Sequence, residues 1–173
     1  MRKYFAILLF SLAACNNPQD VKPVAGAKNF DLVGYFDAEA KRLDVRSPVI
    51  LKSVWINGKQ ETKSIKIKDW KKELSIFTDA DINKRAWDGE FKKSESATFE
   101  QYSTENEKIP VKKVLIWKKS EKICGLKILI RNSNYLYTST DTLSYYPDSL
   151  YQIKKMQQIR FMKSKHYQIL GRF

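Results

Sequence analysis

The chain has 173 residues, of which 43% are hydrophobic and 13% aromatic, and its formal net charge is +13 at pH 7. This length suits one folded domain with a packed core, and this apolar content argues against an intrinsically disordered chain. Because the chain has only one histidine and two cysteines, a multi-histidine metal site is excluded.

The first 14 residues have the pattern of a secretory signal peptide. Arg2 and Lys3 precede an apolar stretch from Tyr4 to Leu12, which is too short to span a bilayer as a helix. The run Leu12-Ala13-Ala14-Cys15 resembles the lipobox of bacterial lipoproteins, in which signal peptidase II cuts before a cysteine that has received a diacylglyceryl group. The resemblance implies that Cys15 is lipidated, becomes the first residue of the mature chain and attaches it to a membrane.

The residues after Cys15 predict where the protein is held. Asn16 follows the cysteine without an acidic cluster, which by resemblance to lipoprotein sorting patterns implies the outer membrane of the cell envelope, facing the periplasm. Residues 15–28 are polar and contain Pro18, Pro23 and Gly26, a composition that predicts a flexible tether. Residues 29–173 are then a single domain. No later segment has the roughly 20 apolar residues of a membrane helix, so we expect attachment through the lipid alone.

The first part of the domain has helical and hairpin patterns. Two runs of strand-forming residues, 49–56 and 61–67, flank Asn57-Gly58 and predict a tight hairpin. Asn29 and Asp69 are each expected to cap a helix. The apolar positions of these two helices are Phe30, Val33, Phe36, Ala40 and Leu43, and then Trp70, Leu74, Phe77 and Ala80.

From residue 95 onward the apolar pattern has a period of two, which is typical of strands. Strands are predicted at 96–104, 111–118, 122–131, 135–144, 150–162 and 166–173. Short connections favour antiparallel neighbours. The predicted fold is therefore α+β, with two N-terminal helices and a hairpin packed on a curved, half-barrel-like antiparallel meander of about six to eight strands. Cys124 has apolar neighbours in one of these strands and is expected to be a buried, unreactive thiol.

One segment partly matches a calcium-binding loop. Asp79, Asp81, Asn83 and Glu90 occupy positions one, three, five and twelve of such a loop. Lys84 stands where the loop needs glycine, so we interpret the segment as a helix end with solvated carboxylates. The single histidine, His166, has no nucleophile or zinc motif with it. The sequence thus predicts no catalytic residue, no metal site and no cofactor.

Basic and aromatic residues alternate through the second half of the chain. Such a pattern can bind nucleic acid, but a secreted, lipid-tethered protein meets anionic lipids, acidic glycans or envelope proteins instead. Exposed tyrosines are typical of glycan and protein interfaces, although cross-strand packing is an equally ordinary use of them. The candidate ligand-binding residues are Tyr135, Tyr137, Tyr145, Tyr146, Lys154 and Arg160.

Three functions remain open from the sequence. The first is a non-enzymatic, lipid-anchored binding or interaction module of the cell envelope. The second is an amphiphile carrier, which requires an apolar cavity under the helices. The third is a glycan hydrolase, which requires two carboxylates facing each other across a cleft. The carboxylates considered for that role are Glu100, Glu105, Glu107, Asp141 and Asp148.

Overall fold

The computed structural model of the protein describes residues 29–173. The predicted signal peptide, Cys15 and the tether lie outside the described residues. Within residues 29–173, no helix is both long and apolar enough to cross a membrane. The described chain begins with one long helix and continues into nine strands, with two short helices between the second and third strands.

Helix α1 spans Leu32–Arg46. Its cap is Asp31, whose carboxylate accepts a hydrogen bond from the Gly34 amide at 2.9 Å. The prediction that Asn29 caps the helix is wrong, because the Asn29 side chain instead donates to the Ile82 carbonyl. The prediction that Val33 belongs to the buried side of this helix is also wrong, because Val33 is 37% exposed. The buried positions are Leu32, Phe36, Ala40 and Leu43.

The predicted hairpin is present as β1 (Val49–Ile56) and β2 (Lys59–Lys66). Asn57 and Gly58 form its turn with φ angles of 49° and 87°, the positive values that this tight turn requires. The hairpin does not pack on the sheet as predicted but belongs to it. On the side away from β2, β1 pairs with the last strand of the chain, which satisfies the backbone amides and carbonyls of β1 on that side.

The second helical segment is divided in two, α2 (Trp70–Glu73) and α3 (Ser75–Thr78). Asp69 caps it as predicted, and its carboxylate accepts from the Lys72 amide at 2.9 Å. The four apolar positions predicted from the spacing are all buried. A 3-10 turn, Arg85–Trp87, follows before the sheet resumes.

The remaining strands form an antiparallel meander. They are β3 (Lys92–Ser96), β4 (Phe99–Ser103), β5 (Val111–Lys119), β6 (Lys122–Ser133), β7 (Tyr137–Tyr146), β8 (Leu150–Ile159) and β9 (Lys165–Arg172). The nine strands make one open sheet in the order β2-β1-β9-β8-β7-β6-β5-β4-β3. The count exceeds the prediction because the early hairpin joins the sheet and because β3, which pairs with β4 in a short hairpin, was not predicted as a strand.

All helices pack against one side of the sheet, which we call the helix face. Phe36 of α1 stacks on Phe77 of α3 with ring centroids 4.6 Å apart, and it meets the ring of Tyr145 edge-on at 5.2 Å. Trp70 of α2 meets the ring of Tyr151 edge-on at 6.3 Å. Aromatic rings thus fill the centre of the layer between helices and sheet.

Two tyrosines fasten the helices to this face. Tyr145 of β7 and Tyr151 of β8 are direct cross-strand partners. The Tyr145 hydroxyl donates to the Glu39 carboxylate of α1 at 2.5 Å, and the Tyr151 hydroxyl donates to the Glu73 carboxylate of α2. Burial, reinforced by the hydrogen bond to a carboxylate, raises the pKa of both phenols far above the ordinary range. Both therefore remain protonated donors at physiological pH.

A glycine makes room for the second tyrosine. Gly171 of β9 lies opposite Tyr151, and a Cβ atom at Gly171 would overlap the Tyr151 ring. The absent side chain lets the ring lie across the neighbouring strand toward Trp70 and Phe173. A larger residue at position 171 would displace the ring that holds α2.

Cys124 is exposed, so the prediction of a buried thiol is wrong. The register between β5 and β6 shifts at this point, where Trp117 faces Gly125 and Lys118 faces Ile123. Cys124 is therefore the extra residue of a β-bulge and has no cross-strand partner. The bulge interrupts the regular alternation of β6, so the Cys124 side chain is not buried with its apolar neighbours.

We expect Tyr145→Phe and Tyr151→Phe each to lower the free energy of unfolding by about 1 to 2 kcal/mol, because each removes a buried hydrogen bond to a carboxylate. Urea denaturation of the two variants measures this. The matched control is Tyr135→Phe, since Tyr135 is 80% exposed, and its effect should stay within about 0.5 kcal/mol. Equal effects of all three variants would contradict the role of the two buried tyrosines.

Candidate functional site

The sheet has a second side that no described helix covers, which we call the open face. Cross-strand partners in an antiparallel sheet point to the same side, so the register identifies its members. Its central row crosses eight strands. That row is Ser53, Leu170, Gln152, Ser144, Lys127, Leu115, Gln101 and Ser94.

Charge is divided unequally between the two sides of the sheet. The strands contain four acidic residues, and the register places all four on the helix face: Glu61, Glu95, Glu100 and Asp141. The open face of the described strands therefore has no carboxylate. Its cationic residues are Lys66, Lys92, Lys113, Lys119, Lys122, Lys127, Arg131, Lys154 and Arg172.

On the helix face the acidic side chains have partners of their own. Asp141 accepts a hydrogen bond from Ser139 at 2.6 Å and lies 3.3 Å from the Lys155 ammonium. Glu100 accepts from Tyr102 and pairs with Lys118. These carboxylates are neutralised on their own side of the sheet, so they do not offset the cations of the open face.

Between its cations, the open face presents hydroxyl, amide and indole groups. Trp55 lies in line with Gln168, Lys154 and Thr142 across four neighbouring strands. Trp117 packs against Phe99 with ring centroids 6.1 Å apart. Flat rings beside short hydroxyl and amide side chains can both stack on a ligand and hydrogen-bond to it.

Two clefts cross this face and meet at Thr140, which lines both. The first has a volume of about 640 Å³ and lies between strands β5 to β7 and the loop after β4, with Lys113, Leu129 and Arg131 in its wall. The second has a volume of about 370 Å³. Its lining includes Trp55, Thr142, Lys154, Met156, His166 and Gln168. We call the two clefts together the groove. The charged side chains in its lining are basic except for Glu105 and Glu107, which belong to the loop after β4.

The predicted ligand-binding residues do not form one cluster. Tyr145 is fully buried against the helices, and its neighbour Tyr146 lies on the open face, as does Lys154. Tyr137 is partly buried and pairs with Ile159 on the helix face. Tyr135 and Arg160 do meet, at the far end of β7 and β8, with the guanidinium carbon 4.6 Å from the ring centroid.

Four residues that line or flank the groove were not predicted as ligand-binding residues: Trp55, Lys113, Lys127 and Thr140. The period of two within each strand shows which of its side chains share a face. It does not show which face of one strand lies beside which face of the next, because that depends on the pairing register of the strands.

The segment that partly matches a calcium loop is used for local structure. The Asp81 carboxylate accepts from the Asn83 amide at 2.9 Å, and Glu90 accepts from the side chain of Asn106 at 3.0 Å. Among residues 29–173, no group of three or more His, Cys, Asp or Glu side chains is arranged to hold a metal ion. His166 lies at the rim of the second cleft, and its backbone pairs with Asn57.

Comparison of this chain with protein-family models, with curated proteins and with solved structures gave no match. The site therefore has to be interpreted from its own chemistry.

We expect the triple variant Lys113→Gln, Lys127→Gln, Lys154→Gln to elute from immobilised heparin at a markedly lower salt concentration than the unsubstituted chain. Each cation that faces an anionic surface contributes about 1 kcal/mol. The matched control removes three exposed lysines from the helices and the helix face, Lys41, Lys63 and Lys71. Both variants lose the same net charge, so identical elution would show that total charge, and not the open face, determines binding.

Proposed function

We propose that this chain is a lipid-anchored protein of the bacterial cell envelope and a non-enzymatic binding module whose open face takes an anionic ligand. The proposed anchor is a lipid on Cys15, and the proposed location is the outer membrane, facing the periplasm. Both parts of this address rest on the resemblance of residues 12–15 to a lipobox and on Asn16 after it.

The observation that carries the binding proposal is the absence of carboxylates from the open face of the described strands. The strand side chains of this face supply cations and no anions, and Glu105 and Glu107 of the loop after β4 are the acidic residues that line the groove. The excess of cations produces a positive potential that attracts and orients an anionic partner. Four of the chain's 19 acidic residues lie in the strands, and all four are on the helix face.

The chemistry of the groove favours an acidic glycan over other anions. Sugar rings can stack on the indole of Trp55, and their hydroxyl groups can bond to threonine, serine and glutamine side chains. Lys113, Lys154 and Arg131 can pair with carboxylate, sulfate or phosphate groups on the same ligand. Anionic lipid headgroups and acidic envelope proteins are the other partners that we consider.

The amphiphile carrier is the second candidate, and one feature favours it. A shallow cleft of about 530 Å³ lies at the margin of α2 and α3, and five isoleucines contribute to its lining: Ile65, Ile67, Ile76, Ile153 and Ile169. Against it, Trp70, Leu74 and Phe77 are at most 1% exposed and fill the centre of the layer between helices and sheet. A co-purifying molecule of lipid mass in native mass spectrometry would favour the carrier.

The hydrolase proposal has less support, because a retaining or inverting mechanism needs two carboxylates on opposite sides of the substrate. Glu100 and Asp141 lie on the helix face and line neither cleft. Asp148 is paired with Arg42 and Arg46 of α1. Glu105 and Glu107 do line the first cleft, but both belong to the single loop that follows β4.

The lipid anchor can be tested by metabolic labelling with a radioactive fatty acid. We expect Cys15→Ser to abolish the label. Cys124→Ser is the matched control, because Cys124 is exposed and is the only other cysteine. Its label should be unchanged. Label that persists in Cys15→Ser and is lost in Cys124→Ser would contradict the proposed anchor.

A further inference from the structure

Four strongly exposed apolar side chains lie together at one end of the described sheet. Phe161, Tyr135, Leu136 and Met162 are 94%, 80%, 64% and 59% exposed. They belong to two turns at the same end of the sheet, one between β6 and β7 and one between β8 and β9. We call these four residues the apolar tip.

The two turns are held together as one surface. The Arg160 amide donates to the Leu136 carbonyl at 2.9 Å. The Arg160 guanidinium carbon lies 4.6 Å from the ring centroid of Tyr135 and 5.1 Å from that of Phe161. One cation thus bridges an aromatic ring from each turn.

The backbone at the apolar tip is strained at Phe161. Phe161 has a φ of 63°, a left-handed conformation that bulky residues rarely adopt. Glycine or asparagine would satisfy the turn without strain and without an exposed ring. A strained and almost fully exposed phenylalanine indicates a use for the side chain outside the fold.

The surroundings of the tip are cationic. Residues 131–140 and 156–168 contain no Asp or Glu, and their Lys and Arg residues are Arg131, Arg160, Lys163 and Lys165. The acidic residues at this end of the sheet, Glu105 and Glu107, belong to the loop between β4 and β5. Apolar and aromatic side chains surrounded by lysine and arginine are the combination that binds the interface of an anionic bilayer.

We propose that the apolar tip is a second membrane contact, which inserts into the interface of an anionic lipid bilayer. The site differs from the open-face groove and goes beyond the function proposed above. In one respect it relies on that function, since a lipid on Cys15 would keep the tip near a bilayer. Thirteen residues separate Cys15 from Asn29, and this span of chain can extend at most about 50 Å, which is enough for the domain to turn its tip to the membrane.

The test uses the mature chain from residue 15 with Cys15→Ser, so that it carries no lipid, and vesicles of phosphatidylcholine with or without phosphatidylglycerol. We expect co-sedimentation with the anionic vesicles only. The variant Phe161→Ser, Met162→Ser should bind at least about tenfold more weakly, since it removes the inserted apolar area. The matched control, Val45→Ser, Val49→Ser, removes two exposed valines at the other end of the strands and should bind normally.

A fluorescent label reports insertion directly. A polarity-sensitive dye on Phe161→Cys, in a chain that also has Cys124→Ser, should shift to the blue with anionic vesicles. The same dye on native Cys124 is the control, because Cys124 lies about 30 Å away along β6. Its emission should not change.

Three outcomes would overturn the proposal. In the first, the dye at position 161 remains in water when vesicles are bound. In the second, the two double-serine variants bind vesicles equally well. In the third, the tip variant converts a self-associated chain into monomers without affecting vesicle binding, which would make the tip an interface between copies of the chain. The open-face variant at Lys113, Lys127 and Lys154 separates the two sites. It should keep vesicle binding, and its failure to do so would assign the membrane contact to the groove instead.

Discussion

The hydrogen bonds from Tyr145 and Tyr151 to Glu39 and Glu73 are the contacts on which the two-layer arrangement depends. The tyrosines are neighbours on the sheet, whereas the carboxylates come from two separate helical segments. Buried phenols need hydrogen-bond partners, and partly buried carboxylates are stabilised by donors, so each pair satisfies both groups at once. This pairing holds α1 and α2 on one side of the sheet and leaves the other side uncovered.

The carboxylates of both layers are paired on the helix face. Lys52 reaches Glu73 of α2 at 2.6 Å, and Lys118 reaches Glu100 of β4. A strand alternates its side chains between two faces, so the residues of the open face can differ in charge from those of the helix face. The open face can therefore be strongly cationic without a carboxylate, and the charge that supports binding does not compete with the interactions that support the fold.

The local parts of the fold were predictable, and the long-range parts were not. Asn57-Gly58, the Asp69 cap and the buried Trp70 stripe follow from turn and helix chemistry within a few residues. The addition of β1 to β9 depends on a partner far along the chain. The bulge that exposes Cys124 depends on the exact register of the β5–β6 hairpin, which alternation within one strand does not reveal. For the site, the basic and aromatic composition was visible, but Tyr145 and Tyr146 look alike in sequence and lie on opposite faces.

The most direct test of the central claim is amide chemical-shift mapping of the isotope-labelled chain with a sulfated oligosaccharide as the anionic probe. The account predicts that the largest shifts lie in β5 to β8, around Lys113, Lys127 and Lys154, with little change in α1 and α2. Shifts concentrated in the helices and the isoleucine-lined cleft beside them, or spread evenly over every exposed lysine, would contradict a binding site on the open face.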